Sequence, residues 1–406
     1  MSAAGTVGML IEEGEALDQQ GEKEQAIYAF GMKPIYPIMA IVVATFLTMG
    51  VALPVLPLHI NHVLGLGPFV VGVAIGTQFV AALLTRFWVG RLSDIKGPRY
   101  AVLLGLGLAM ASGTAYLISI QFLSRPHLAV LVLLGGRILM GAAESLIITA
   151  CLVWSLGLTP PRLAGRSMGW TGMAMFIGLA IGAALGNVVF LGSSFTGIAL
   201  LTIAIPLVCI FGVLRMRPLM PSPSRPQPVR SVLALVAIPS IGFAMSGISL
   251  GVITSFFTLY FAFEEWNGGA LGYSAFATAI IAVRVFGGSF PDRYGGGTVA
   301  RYSLVVQVIG MVMIAAAPCA SWALVGAIVT GAGFSLVYPS LGLVAIQNIP
   351  PESRGVAMAF YTASLDLTLG LGGPAFGLIA ELNGLRSVFF AGAASALFAI
   401  LIVRRL

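Results

Sequence analysis

Three ionisable side chains stand inside long apolar stretches: Arg137, Glu144 and Asp366. A charge at the centre of a hydrocarbon layer costs roughly 2.5–3.5 kcal/mol on insertion scales, so each is expected to face protein and to have a partner. A carboxyl group in such surroundings can load and release a proton within a working cycle, and Glu144 is the first candidate for that role. The plainer alternative is a structural hydrogen bond from the neutral acid to a neighbouring helix. Asp366, in the run SLDLTLG, is a candidate to bind protons or substrate, against a structural polar role. Arg137 precedes Glu144 by two helical turns, which puts both on one face but about 10 Å apart along the axis. They are expected to mark two levels of one cavity wall, with Arg137 anchoring the proton cycle or an anionic substrate.

A second constellation is duplicated. Arg86-x3-Gly90-x3-Asp94-x2-Gly97 recurs as Arg284-x3-Gly288-x3-Asp292-x2-Gly295, at an offset of 198. Asp94 stands where a helix ends and the chain turns, Gly97 permits the turn, and Arg91, Lys96 and Arg99 suit an anionic membrane surface. A carboxylate there can accept backbone N–H groups from the start of a neighbouring helix. Arg86 and Arg284, two turns earlier, are candidates to brace Asp94 and Asp292. A solvated loop carrying charges that only set topology is the alternative. A further block, 141–165, aligns without gaps to 331–355 at an offset of 190, and each copy places a double proline four residues before a glycine (Pro160, Pro161, Gly165; Pro350, Pro351, Gly355).

The elements that must position these residues are written in the composition. Of 406 residues only 9% are charged and 58% apolar, with 51 glycines and a mean hydropathy of +1.01. Soluble domains carry about 25% charged residues. Long apolar runs rich in small residues describe membrane helices that pack through those residues. The net charge of +7 lacks the soluble basic face that nucleic-acid binding needs. Twelve spans are expected: 35–59, 69–92, 99–121, 128–157, 167–191, 194–215, 231–262, 270–291, 299–317, 320–346, 355–380 and 386–405. Residues 1–33 form an acidic tail and 216–230 a Pro/Arg-rich linker, which divides the chain into six-helix bundles over 34–215 and 231–406. Of the 21 basic residues, only Arg125 and Arg386 fall on the set of loops opposite the tail, so both termini and the linker are expected on the cytoplasmic side. The repeats share that side, so the bundles are parallel, related by an axis along the membrane normal.

On these residues the chain resembles the major facilitator superfamily. GRLSDIKGPR (90–99) is similar to its signature loop, G-x-L-x-D-x-x-G-x-R. Arg137 with Gly141 occupies the place of the R-x-x-Q-G motif of proton antiporters, with Met140 for the glutamine. Gly169, Gly178, Gly182 and Gly186 keep four glycines of the antiporter motif of the fifth helix, with Ala183 and Asn187 replacing its proline and last glycine. GVALPVLPLHI, GRILMGAAES and PDRYGG resemble the YfcJ/YhhS-type branch of bacterial sugar and drug efflux permeases. The resemblance covers roughly 35–405.

It implies an all-α fold of twelve helices in two pseudo-symmetric six-helix bundles, rocking about a midplane site. Asp94 would then meet the eleventh helix near Gly355, and Asp292 the fifth near Gly165. Gln78, Trp170, Tyr260 and Tyr338 lie on spans that line the cavity in that fold. The Gly178, Gly182 and Gly186 stripe would let the fifth helix approach a facing helix such as the eighth. Pro54 and Pro57 would let the first helix bend as an exterior gate, with His59, Asn61 and His62 in the wet interface. Cys151, Cys209 and Cys319 are expected to be buried small hydrophobes, neither disulfides nor metal ligands.

The functional expectation is export of a small organic molecule (a sugar, a drug-like compound, or a metabolite or metallophore) driven by proton antiport across a bacterial inner membrane. The expected partners are the substrate, protons and the lipid bilayer. The chain would act as a monomer, with no cofactor, metal or nucleic acid. No G-x4-G-K-[ST] loop is present to bind ATP. Proton-coupled uptake of a sugar or organic anion is the alternative within transport. A non-transporting receptor or scaffold is the alternative outside it, and an enzyme is not expected because no nucleophile–base pair falls in the spans.

Overall fold

The computed structural model describes residues 35–159, 164–218, 229–347, 349 and 354–404. The acidic tail, most of the linker and the two double prolines lie outside the described residues. In hydrocarbon every backbone N–H and C=O must be satisfied within its own segment or sheet, and these apolar runs answer with helices. Among the described residues there is no strand.

The first six crossings come from Tyr36–Val63, Pro68–Lys96, Pro98–Ile120, Pro126–Leu158 and one long helical stretch, Ala164–Arg215. That stretch has 52 residues, about 78 Å as a straight helix and far more than a bilayer's thickness. Ser194 breaks it, with φ 55° and ψ −157°, and the chain folds back as the expected fifth and sixth crossings. The last six are Val229–Phe263, Gly269–Gly287, Gly296–Ala315, Ala320–Gln347, Arg354–Asn383 and Leu385–Val403. Among the described residues twelve crossings are therefore present. Proline in the first turn starts the second, third and fourth, where its missing N–H costs nothing. Gly97 and Gly295, which close the duplicated motif, hold φ of 82° and 83°, a region glycine enters freely.

The first crossing bends as its prolines imply. It runs helical over Tyr36–Ala52, restarts at Val55–Leu58, and ends in a wide turn at His59–Val63 with π-type hydrogen bonding. His59 departs from the expected wet position. It is 3% exposed and stacks on Phe195 with ring centroids 4.0 Å apart, while His62 is exposed. Cys319 likewise is exposed rather than buried.

Within the first half the first crossing packs on the fifth, the second and third on the fourth, and the third on the sixth. The second half pairs the eighth and ninth crossings with the tenth, the seventh with the eleventh, and the ninth with the twelfth. The glycine stripe of the fifth crossing corrects an expectation. A Cβ at Gly178, Gly182 or Gly186 would meet backbone of Val43, Leu47 or Val51, so the stripe seats the first crossing and not the eighth. The two halves meet along the second and eleventh crossings and along the fifth and eighth. On the side of the 64–68 and 383–385 turns, Gly72 and Gly76 lie against Gly370, Gly373 and Pro374, and Gly377 against Pro68 and Phe69, backbone on backbone. Ser274 of the eighth crossing donates to the Ala180 carbonyl of the fifth at 3.0 Å.

Candidate functional site between the two bundles

Gly141 sets the first part of the site. A Cβ there would strike the carbonyl of Gln78, so the fourth and second crossings touch one turn from Glu144. From that contact Gln78 Nε2 donates to Glu144 Oε2 at 2.9 Å. Both residues are buried, at 0% and 6% exposure. An amide donor satisfies the carboxyl group whether or not it carries a proton, which a proton-carrying acid in an apolar wall requires. Glu144 also stands within electrostatic reach of Asp366, Arg86 and Arg137.

Arg137 takes a different place. Its guanidinium is fully buried inside the first bundle, where Nε donates to the Ala74 carbonyl at 3.0 Å and Nη1 to the Tyr116 hydroxyl at 3.4 Å. It sits one helical turn of the second crossing away from the Gln78–Glu144 pair, with Tyr116 of the third crossing against the guanidinium inside the bundle.

The two halves are joined by an ion pair. Arg86 of the second crossing reaches Asp366 of the eleventh, Nη2 to Oδ2 at 2.8 Å, and its Nη1 lies 3.5 Å from the Thr362 hydroxyl. Arg86 was expected to brace Asp94; the carboxylate it holds is Asp366. The Asp94 side chain and the surroundings of Gly90 and Gly355 lie outside what is described. Arg284, the repeat of Arg86, donates from Nη2 to the Ser335 carbonyl at 3.2 Å and lies over the Phe176 ring, 5.4 Å from its centroid. It does not brace Asp292, which is exposed in the short helix Phe290–Tyr294 just beyond Gly288. That helix packs on the ninth and tenth crossings, and Gly165, where the fifth crossing was expected to meet Asp292, has its surroundings outside the described residues.

Tyr338 belongs to the site. It lies within electrostatic reach of both Arg284 and Arg86, and its ring packs with Phe243 and Tyr361 at 5.4 and 5.6 Å. The Tyr361 hydroxyl donates to the Tyr338 carbonyl at 2.9 Å. Tyr260 does not belong: it is buried among Phe261, Trp266 and Phe389 of the second bundle, near the outer Arg386–Glu264 pair. Trp170 is 39% exposed, about 9 Å along the fifth helix from Phe176. Arg99 donates to the Leu214 carbonyl at 2.6 Å and ties the start of the third crossing to the end of the sixth.

The expectations passed over Phe176, Thr362 and Tyr361. The repeat carried a signal for the first two: at the offset of 190, Phe176 is the mate of Asp366 and Gly172 the mate of Thr362. The assembled site holds a buried acid with an amide partner, an ion pair spanning two bundles, and a second arginine against aromatic rings.

The family model described as Major Facilitator Superfamily matches residues 38–263 and 240–406. An uncharacterized MFS-type transporter of Salmonella typhimurium is 39% identical over 92% of this chain and 96% of its own. The uncharacterized MFS-type transporter YhhS of Escherichia coli K12 is 33% identical over 89% and 90%. Among solved structures, a mutant of the nucleoside transporter NupG superposes with a TM-score of 0.76 at 14% identity, covering 92% of this chain and 99% of NupG. A bacterial homologue of the human lysosomal transporter Spinster, inward-facing and unoccupied, superposes with a TM-score of 0.68 at 13% identity, over 92% and 94%. These two likenesses extend to the fold.

Proposed function

The chain belongs to the Major Facilitator Superfamily, a family of membrane transporters and not of enzymes, and on that premise we propose that it exports a small organic molecule by proton antiport. The observation that carries this reading is the Gln78–Glu144 pair beside the Arg86–Asp366 ion pair, deep between the bundles. Rocking the bundles moves the second crossing against the eleventh, and the Arg86–Asp366 pair that bridges them must rearrange or break. Breaking a buried pair costs about 3–5 kcal/mol when one charge is left uncompensated. A proton on Asp366 removes the cost of baring that carboxylate and leaves only the Arg86 guanidinium to be compensated. Glu144 is the neighbouring acid that accepts or supplies the proton, with Gln78 holding it in either state.

In this reading the protein sits in a bacterial inner membrane with both termini and the 216–230 linker cytoplasmic, and the bundles over 34–215 and 231–406 work as a monomer. The test uses everted membrane vesicles with an acid interior and a panel of sugars, amino acids, organic acids and drug-like compounds. A transported compound should raise the interior pH through the wild type and not through Glu144→Gln. Compound and protons moving in the same direction would make the protein a symporter and overturn antiport.

A further inference from the structure

The two repeated arginines meet unlike chemistry. Arg86 is neutralised by Asp366 at 2.8 Å and touches Thr362. The mate of Asp366 is Phe176 and the mate of Thr362 is Gly172, and Arg284 lies against both. Across the pseudo-twofold axis an ion pair has been replaced by a cation over an aromatic face. Among the described residues Arg284 makes no ion pair, and its buried Nε has no hydrogen-bond partner. A cation–π contact and one carbonyl compensate a guanidinium incompletely, because desolvating a charge costs more than such contacts return. With Glu144 protonated, Arg86, Arg284 and Asp366 leave one positive charge in surplus at the meeting of the bundles. Beside it Tyr338, Phe243 and Tyr361 form a continuous wall of rings.

We infer that Arg284 receives an oxyanion, a carboxylate or phosphoryl group, of the transported molecule, whose organic body lies against Tyr338 and Phe176. The inference rests on the reading that the inter-bundle site carries the cargo, and it names the cargo's chemical class. A guanidinium offers paired N–H donors that match two oxygens of a planar or tetrahedral anion. Arg86 does not compete, since Asp366 holds its terminal nitrogen. A cationic cargo would add to the surplus charge and a neutral one would leave it standing.

The test is capture without a gradient. Purified full-length wild type, Arg284→Gln, Arg284→Lys and Phe176→Asp are equilibrated with the small-molecule fraction of a bacterial lysate, desalted, and the retained compounds identified by mass spectrometry. Compounds enriched by the wild type should carry a carboxylate or phosphoryl group. Arg284→Gln should retain about ten- to a hundredfold less of them, the worth of a charge-assisted hydrogen bond. Arg284→Lys should retain an intermediate amount. Phe176→Asp rebuilds the ion pair of the other half, so it should lose the compounds while melting at or above the wild type, which separates neutralisation from unfolding. An enriched set of neutral or cationic compounds, equal retention by wild type and Arg284→Gln, or undiminished retention by Phe176→Asp overturns the inference. Because no proton gradient is applied, failure here leaves proton coupling standing, and failure of the vesicle assay leaves the capture result standing.

Discussion

At the level of the backbone the two halves are built alike, while their side chains differ at the places that matter. Gly141 presses on the Gln78 carbonyl and its mate Gly331 on the Phe276 carbonyl, so the same helix contact exists twice. In the first half the side chains beside that contact are Gln78 and Glu144, hydrogen-bonded at 2.9 Å. In the second half they are Phe276 and Phe334, with rings 6.0 Å apart. The second pair of mates differs in the same sense, Arg86 facing a carboxylate and Arg284 a benzene ring. The shared glycines account for the symmetric scaffold. The chemistry lies where symmetry is broken, with titratable groups concentrated near the first bundle and aromatic surface in the second.

The comparison can be broken most forcibly at the ion pair. Asp366→Asn strands Arg86 and should lower stability by about 3–5 kcal/mol, read as a falling melting temperature in detergent together with loss of transport. Adding Arg86→Gln should recover most of the stability and none of the transport. If the double variant is no more stable than the single one, the pair does not couple the bundles.

Next in size is the shared backbone contact. Gly141→Val and Gly331→Val should each cost about 1–3 kcal/mol, and by similar amounts, because each added side chain meets a carbonyl of the facing helix. A large inequality in thermal unfolding would show that the two contacts are not equivalent.

Glu144→Gln sharpens the contrast from the other side. The amide can still partner Gln78, so stability should stay within about 1 kcal/mol of wild type while substrate-driven proton movement disappears. Thermal unfolding and the vesicle pH assay measure the two quantities on one preparation. The smallest effect is expected at the rim, where Arg386 grips Glu264 with two 3.0 Å contacts, half-exposed. Arg386→Gln should cost about 0.2–1 kcal/mol and leave transport intact.

The fold was largely legible because hydrocarbon leaves the chain few options. Apolar runs of sufficient length give the crossings, and the repeat gives their division into two like halves. What the sequence did not disclose was which helix faces which. The stripe Gly178, Gly182, Gly186 announces a close approach without naming the partner, and the partner is the first crossing. Arg86 and Asp366 are far apart in the chain, and no spacing rule joins them. Tyr260 failed for a related reason: a span that lines a cavity also has a face that does not. His59 stands next to polar Asn61 and His62 and reads as interfacial, yet Phe195, across the fold, covers it.

The contact of Gly72 and Gly76 with Gly370, Gly373 and Pro374 bears on speed as well as shape. A barrier made from interlocking side chains must reorder its rotamers each time it parts, and those rearrangements are separate steps with their own waiting times. Here backbone lies against backbone at Gly72–Gly373 and Gly76–Gly370, and those points part without a rotamer to reorder. The rate at which this side opens is then governed by the area of apposed surface and by the Arg86–Asp366 pair behind it, and a larger residue at Gly76, whose Cβ would already meet the Gly370 carbonyl, would hold the two helices apart there.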